Sequence, residues 1–298
     1  MGIRFYIGGS AATVGGERID FSGYRCFTAA HSPKKIGRIQ VDANEVIAML
    51  DSGAFTDVVG NKRINPDQSL VRQLAWEQTF SEMCGTSWKA ELIVSYDRLI
   101  DEKLIDGVRV KQRWSVQEAD AAVAETIEAA RYLASRRREL SPRGLVLACQ
   151  GVDAGQYEEC VNEVLKVATP CDAIGFGGWC ILGRFKSWIP TFWESCWRTF
   201  PKIARTCAHV HIFGVLYEQA LAPALWLADE FGIFLSVDSA APLLACSWGN
   251  PKKAGVRASG AQANVDWWVE RLRTLRQSPF YKMPSRLQYQ QCLFQEAV

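Results

Sequence analysis

A (β/α)8 barrel of the TIM type, in one domain, is the fold class this sequence predicts, and three observations predict it. Seven short apolar runs rich in Val, Ile and Phe recur along the 298 residues; they are too short for helices and have strand composition. Helical periodicity fills the gaps, and strand alternating with helix implies right-handed βαβ units around a parallel sheet. Every run ends in polar or glycine residues. A barrel gathers all strand C-termini on one face, where its active site lies. A doubly wound sheet, the alternative, gathers only those at its switch point.

In chain order, Ile3–Ile7 ends in Gly8-Gly9-Ser10 and Val46–Leu50 in Asp51-Ser52-Gly53. Pro66–Ser81 follows with Leu70, Leu74 and Trp76 near helical spacing. Glu91–Val94 ends in Ser95-Tyr96-Asp97. Ser115 and Glu118 form a capping box, ahead of Val123, Ile127, Ala130 and Leu133 on one helical face. Leu145–Cys149 ends in Gln150-Gly151, and Asp153 can cap a helix over Gln156–Val167. Ala173–Phe176 ends in Gly177-Gly178, and the aromatic segment after it, with Pro190, does not read as a clean helix. His209–Phe213 ends in Gly214, the helix Tyr217–Glu230 follows, and Ile233–Val237 ends in Asp238-Ser239. Asn264–Leu275 closes the series with an apolar stripe, and one strand of the eight is unread. No linker or composition break divides the chain, so residues 1–298 read as one domain, with 251–298 a basic segment packed on the barrel.

The composition, 48% hydrophobic and 22% charged, excludes a disordered chain, a collagen and a small disulfide scaffold. The longest apolar runs fall far short of the roughly 18 residues that span a membrane. The N-terminus reads as neither a secretory signal nor a myristoylation site, so a cytoplasmic protein is expected. The ten cysteines include no C-x-x-C or C-x-C, so they read as reduced thiols packed as small hydrophobes rather than a metal site. The net charge of +2 is uneven: residues 251–298 carry eight basic residues against three acidic ones.

The strand ends supply Asp51, Asp97 and Asp238, with Gln150 beside them. Singly, such an aspartate is commonly a loop cap. Three at the ends of three buried strands can serve as nucleophile, acid/base and hydrogen-bond acceptor. His209 and His211, at i and i+2 of one strand, share a face and read as packed or surface imidazoles. Gly175-Phe176-Gly177-Gly178 fails the dinucleotide fingerprint, since Cys180 stands where a glycine belongs. Close glycines here let a flat ligand approach the backbone.

These segments resemble the tRNA-guanine transglycosylases. Asp51-Ser52-Gly53-Ala54-Phe55 is similar to that family's D-S-G-G-[FY], and Val94-Ser95-Tyr96-Asp97 to its substrate-reading segment. Gln150-Gly151 resembles its Q-G-G turn, and Ile174–Gly178 its I-G-G loop. Phe213-Gly214-Val215 resembles M-G-V-G, and Asp238-Ser239-Ala240-Ala241-Pro242 the D-C-V-x-P segment that bears the nucleophile. The six motifs keep the family's order over about two-thirds of the chain. The departures point to a branch. The zinc site C-x-C-x-x-C with a later His is absent and Leu243-Leu244 replaces T-R; Gly183-Arg184, where Gly-Glu is usual, bears instead on the identity of the 7-substituent. A zinc-less relative of this kind resembles the DNA-modifying enzymes of phages and bacterial genomic islands.

The resemblance implies a base exchange that replaces guanine in DNA with a 7-deazaguanine, such as the 7-cyano or 7-aminomethyl base, without a cofactor. Asp238 would be the nucleophile at C1′, forming a covalent aspartyl intermediate, and Asp51 would move the proton of the departing and incoming bases. Asp97 would accept the guanine N1–H and 2-amino group. Gln150, Gly151 and the backbone at Gly177 and Gly178 would read O6, with Ser52 and Gly214 in the matched motifs. Phe55 and Phe213 would sandwich the base, unless they are core. A guanine in a duplex must be flipped out or presented single-stranded, so phosphate contacts are required. Lys252, Lys253, Arg257 and Arg286 are the leading candidates, with Lys34, Lys35 and Arg38 behind them. Arg136-Arg137-Arg138 with Arg143 reads rather as a solvated helix end. Trp179, Trp188, Trp193 and Trp197 read as core or as a subunit interface, which a homodimer would use. The alternatives are a zinc-less enzyme acting on tRNA, a non-catalytic nucleic-acid-binding subunit on the same barrel, and an unrelated hydrolase using two of the carboxylates.

Overall fold

Seven of the eight barrel strands are the apolar runs of the sequence. The structure, a computed structural model, describes residues 3–9, 13–14, 17–18, 20, 22–35, 42–60, 62–100, 103–105, 108–110, 115–179, 188–243 and 260–283. Its strands are β1 (Arg4–Gly8), β2 (Gly23–Thr28), β3 (Val46–Asp51), β4 (Leu92–Val94), β5 (Gly144–Cys149), β6 (Ala173–Phe176), β7 (His209–Ile212) and β8 (Phe234–Ser239). All pair in parallel with their sequence neighbours, and β8 pairs with β1 to close the barrel. The unread strand is β2, Gly-Tyr-Arg-Cys-Phe-Thr, which hides because Arg25 breaks its apolar run. Arg25 is buried all the same, and desolvation pushes its pKa down to about 10.

The helices are α1 (Ala54–Val59), α2 (Pro66–Cys84), α3 (Val116–Ser135), α4 (Arg137–Leu140), α5 (Ala154–Leu165), α6 (Ile189–Ile203), α7 (Glu218–Glu230) and α8 (Ala261–Arg273). The expected capping box forms at α3, where Glu118 N–H donates to Ser115 Oγ and Ser115 N–H to Glu118. Asn65 and Gln68 form a second one at α2, and Asp153 caps α5. α6 corrects the reading of its segment: Pro190 sits in the first turn, where its missing N–H costs nothing. Strict alternation also fails early. Among the described residues, a two-stranded ribbon joins β1 to β2, and two 3-10 turns lie between β2 and β3.

Strand parity divides the core. Phe5, Phe27, Leu50, Leu147, Phe176 and Val237 face the helices. Tyr6, Cys26, Met49, Val94, Val146 and Ala173 fill the barrel. Buried on both faces, these strands read as continuous apolar runs instead of alternating ones. Among the described residues no helix is long and apolar enough to cross a membrane.

One side chain ties the C-terminal ends of β3 and β4 together. Gln73 of α2, fully buried, donates from Nε2 to the carbonyls of Leu50 and Val94, both at 2.9 Å. Gln73→Leu strands both acceptors without a donor. It is expected to lower stability by about 1–3 kcal/mol in urea unfolding; a loss below measurement error would contradict the clamp.

Candidate active site at the barrel mouth

The C-terminal strand ends form the barrel mouth, and the three predicted aspartates stand there, each half-buried. Asp51 ends β3, Asp238 lies near the end of β8, and Asp97 follows β4 by three residues.

Asp51 Oδ2 accepts the Gly53 N–H at 3.0 Å. Gly53 has φ of +83°, and a Cβ there would lie 2.7 Å from the Arg72 guanidinium and 2.9 Å from Ala30 Cβ, so only glycine fits this turn. Arg72 binds Asp57 through both nitrogens and also reaches the Ser52 carbonyl, fixing the loop that carries Asp51. Burial first, and then the negative charge of Asp238, raise the Asp51 carboxyl to about 6, with the Gly53 N–H opposing.

Asp97 is raised further. Burial, and then the charge of Asp51, bring it to about 7. The point where a Gly177 Cβ would sit lies 3.3 Å from Asp97 Oδ2 and 4.0 Å from the Phe213 ring. At Gly175 the same atom would meet Phe213 at 2.6 Å. Glycine on β6 and just past it therefore makes the room that Phe213 and Asp97 occupy.

Asp238 is differently held. Its Oδ1 accepts the Gly214 N–H at 3.0 Å and lies 3.1 Å from His211 Nε2. His211 Nδ1 lies 2.8 Å from Ser236 Oγ, which is 2.6 Å from His209 Nε2. Burial pushes the Cys26 thiol well up, helped by the charges of Asp238 and Asp51, so it stands between them protonated.

The remaining predicted residues divide. Gly178 is open around its absent Cβ, with φ of +85°. Phe213 lies edge-on to His211 at the mouth, and Phe55 is 44% exposed at the start of α1. Ser52 is fully buried, its Oγ accepting the Ala54 N–H, so it shapes the loop instead of facing solvent. Gln150 is corrected from its expected place on O6. It is fully buried, accepting from Ile100 N–H at 2.8 Å and donating to the Arg98 carbonyl and Thr126 Oγ1. With both ends of its amide so engaged, it holds the backbone beyond Asp97. Gly151 is likewise a packing glycine: a Cβ there would sit 2.6 Å from Tyr157 N on α5.

Of the basic residues, Lys252, Lys253, Arg257, Arg286 and Arg38 lie outside the described residues. In the part of the C-terminal segment that is described, Arg271 pairs with Glu218, Arg273 with Glu270 and Arg276 with Asp229. Their charge is spent within the fold, and the pairs with Glu218 and Asp229 dock the segment on α7. The Arg136–Arg138 run sits between α3 and β5, at the end of the barrel opposite the mouth, and Arg143 pairs with buried Glu77. Trp179, Trp188 and Trp193 are core, while Trp197 is half exposed.

Sequence reasoning missed His211, Ser236 and Cys26. The signal was parity: His209-x-His211 and Ser236-x-Asp238 are adjacent parallel strands with inward residues in register. No family model matches the chain, and no curated protein is similar to it in sequence.

A carboxyl raised in the folded state favours folding most at low pH, and that contribution fades as pH rises through its folded pKa. For Asp97 the window runs from about 4 up to about 7. Asp97→Asn is therefore expected to gain stability over the wild type at pH 8 and less at pH 5, the gain growing by at most about 1.4 kcal/mol per pH unit inside that window. Melting temperatures at the two pH values check this; a gap independent of pH contradicts it.

Proposed function

We propose that this protein is a base-exchange transglycosylase that replaces guanine in DNA with a 7-deazaguanine through a covalent aspartyl intermediate. The observation that carries the reading is the difference among three carboxylates at one barrel mouth. Asp238 is supplied with an N–H and an imidazole on one oxygen, which fixes the orientation of the nucleophilic carboxyl. Asp51, raised to about 6, is suited to give a proton to the departing base and take one from the incoming base near neutral pH. Asp97, beside the glycine floor and Phe213, can accept two N–H donors from a guanine edge lying flat on that floor.

Breaking the glycosidic bond builds positive charge at C1′ and negative charge on the base. A carboxylate attacking C1′ divides that substitution into two easier steps. DNA is preferred over tRNA because the chain lacks the zinc-site motif and the T-R pair of the tRNA enzymes it resembles. The retained trio argues against a binding subunit, which needs no such set.

Incubation with DNA or tRNA carrying labelled guanine, plus 7-cyano- or 7-aminomethyl-7-deazaguanine, is expected to release label from DNA. Release from tRNA alone would sink the DNA assignment, and release from neither would sink the transglycosylase reading. Asp238→Ala should abolish any covalent protein–DNA adduct while the protein stays folded; an adduct that persists places the nucleophile elsewhere.

Asp97 must be ionised to accept both guanine donors. Guanine affinity is thus expected to fall as pH drops through about 7, by about tenfold per pH unit well below it. Fluorescence titration at pH 8 and pH 5.5 reads this out; equal affinities would remove Asp97 from base recognition.

A further inference from the structure

Two donors meet on one oxygen of Asp238, and one of them is a histidine that no motif of the sequence singled out. Gly214 N–H can only donate, so Oδ1 is an acceptor. An imidazole lone pair 3.1 Å from that oxygen would face lone pairs, so His211 Nε2 carries a proton. In the neutral ring Nδ1 is then the acceptor, and it takes the Ser236 hydroxyl at 2.8 Å. The Ser236 oxygen in turn accepts from His209 Nε2 at 2.6 Å. His209 stays uncharged at neutral pH because burial, reinforced by its neighbours His211 and Arg4, pushes it down to about 3. Three hydrogen bonds thus run in one direction along the barrel interior and end on Asp238. His211 itself is fully buried, with the rings of Phe213 and Tyr6 set edge-on against it at 4.6 and 5.9 Å, so its plane is fixed.

We propose that His211 is the positioning residue for the Asp238 nucleophile: its Nε2–H, with the Gly214 N–H, holds Oδ1 so that Oδ2 attacks C1′. This rests on the transglycosylase reading. In the first half-reaction the Oδ2–C1′ bond forms as the C1′–N9 bond breaks, the electron pair leaves with the base, and Asp51 gives the base a proton. In the second, N9 of the incoming base attacks C1′, its proton passes to Asp51, and the Oδ2–C1′ pair returns to Asp238. Oδ1 keeps both donors throughout, which stabilise the carboxylate as it departs. Ser236 and His209 act one and two bonds back, by fixing the His211 tautomer.

Three variants and one spectrum test this. His211→Phe fills the space without a donor and is expected to slow adduct formation by about 10²–10³-fold while the KM for guanine stays within about threefold. His211→Gln restores an N–H near the Nε2 position and is expected to recover the rate to within about tenfold of the wild type. Ser236→Ala leaves the donor in place and costs less than about tenfold. Equal losses in the Phe and Gln variants, or a loss confined to KM, would overturn the proposal. Nitrogen-15 NMR of histidine in the unaltered protein needs neither activity nor a variant. A protonated Nε2 on His211 supports the proposal and a bare Nε2 overturns it. A wild type that neither exchanges guanine nor forms an adduct defeats the transglycosylase reading, and the spectrum still decides the tautomer.

Discussion

The ladder between β8 and β1 sets Ser236 beside Arg4 and Asp238 beside Tyr6, and with it the sheet closes on itself. A closed parallel sheet has no edge, sends all its C-terminal ends to one face, and allows each strand only two directions for its side chains. Asp51 ends β3 and Asp97 follows the neighbouring β4, and Asp238, on β8, meets them only because of that closure. The glycines at the mouth answer to the same constraint. A Cβ on Gly8 would lie 2.8 Å from Ala240 N, so β1 can end beside the Asp238 turn only as glycine.

Three carboxylates in one enclosure cannot all be equally at ease as anions. Burial first, and then the charge of a neighbouring carboxylate, raises Asp51 to about 6 and Asp97 to about 7, while Asp238 holds the Gly214 N–H and His211 on one oxygen. The surroundings hold them in place. Arg72 fixes the Asp51 loop, Gln73 joins the ends of β3 and β4, and Gln150 with Thr126 holds the backbone on either side of Leu99. Arg72, Gln73 and Gln150 belong to the scaffold beneath the mouth, and they give hydrogen bonds to main-chain atoms that would otherwise be buried without partners.

Much of the barrel was legible because strands buried on both faces leave apolar runs that need no partner to be seen. β2 was not, because a buried arginine interrupts it, and α6 was not, because a first-turn proline resembles a break until the helix start is known. Gln150 was placed correctly at a strand end and given the wrong neighbours. Sequence position shows where a side chain begins, and the Thr126 hydroxyl that takes its amide proton comes from a helix 24 residues earlier.

The sequence by itself determined the strand ends, the helix caps and the identity of the three acids, since each depends on neighbours within a few residues. The tertiary structure alone decided which groups face which. It put His211 and Ser236 behind Asp238, turned Gln150 and Ser52 inward, and sent Arg136–Arg138 to the far end of the barrel. The physical reason is register: a side chain's partners across a closed sheet depend on how separate strands align, and no local pattern of residues records that alignment.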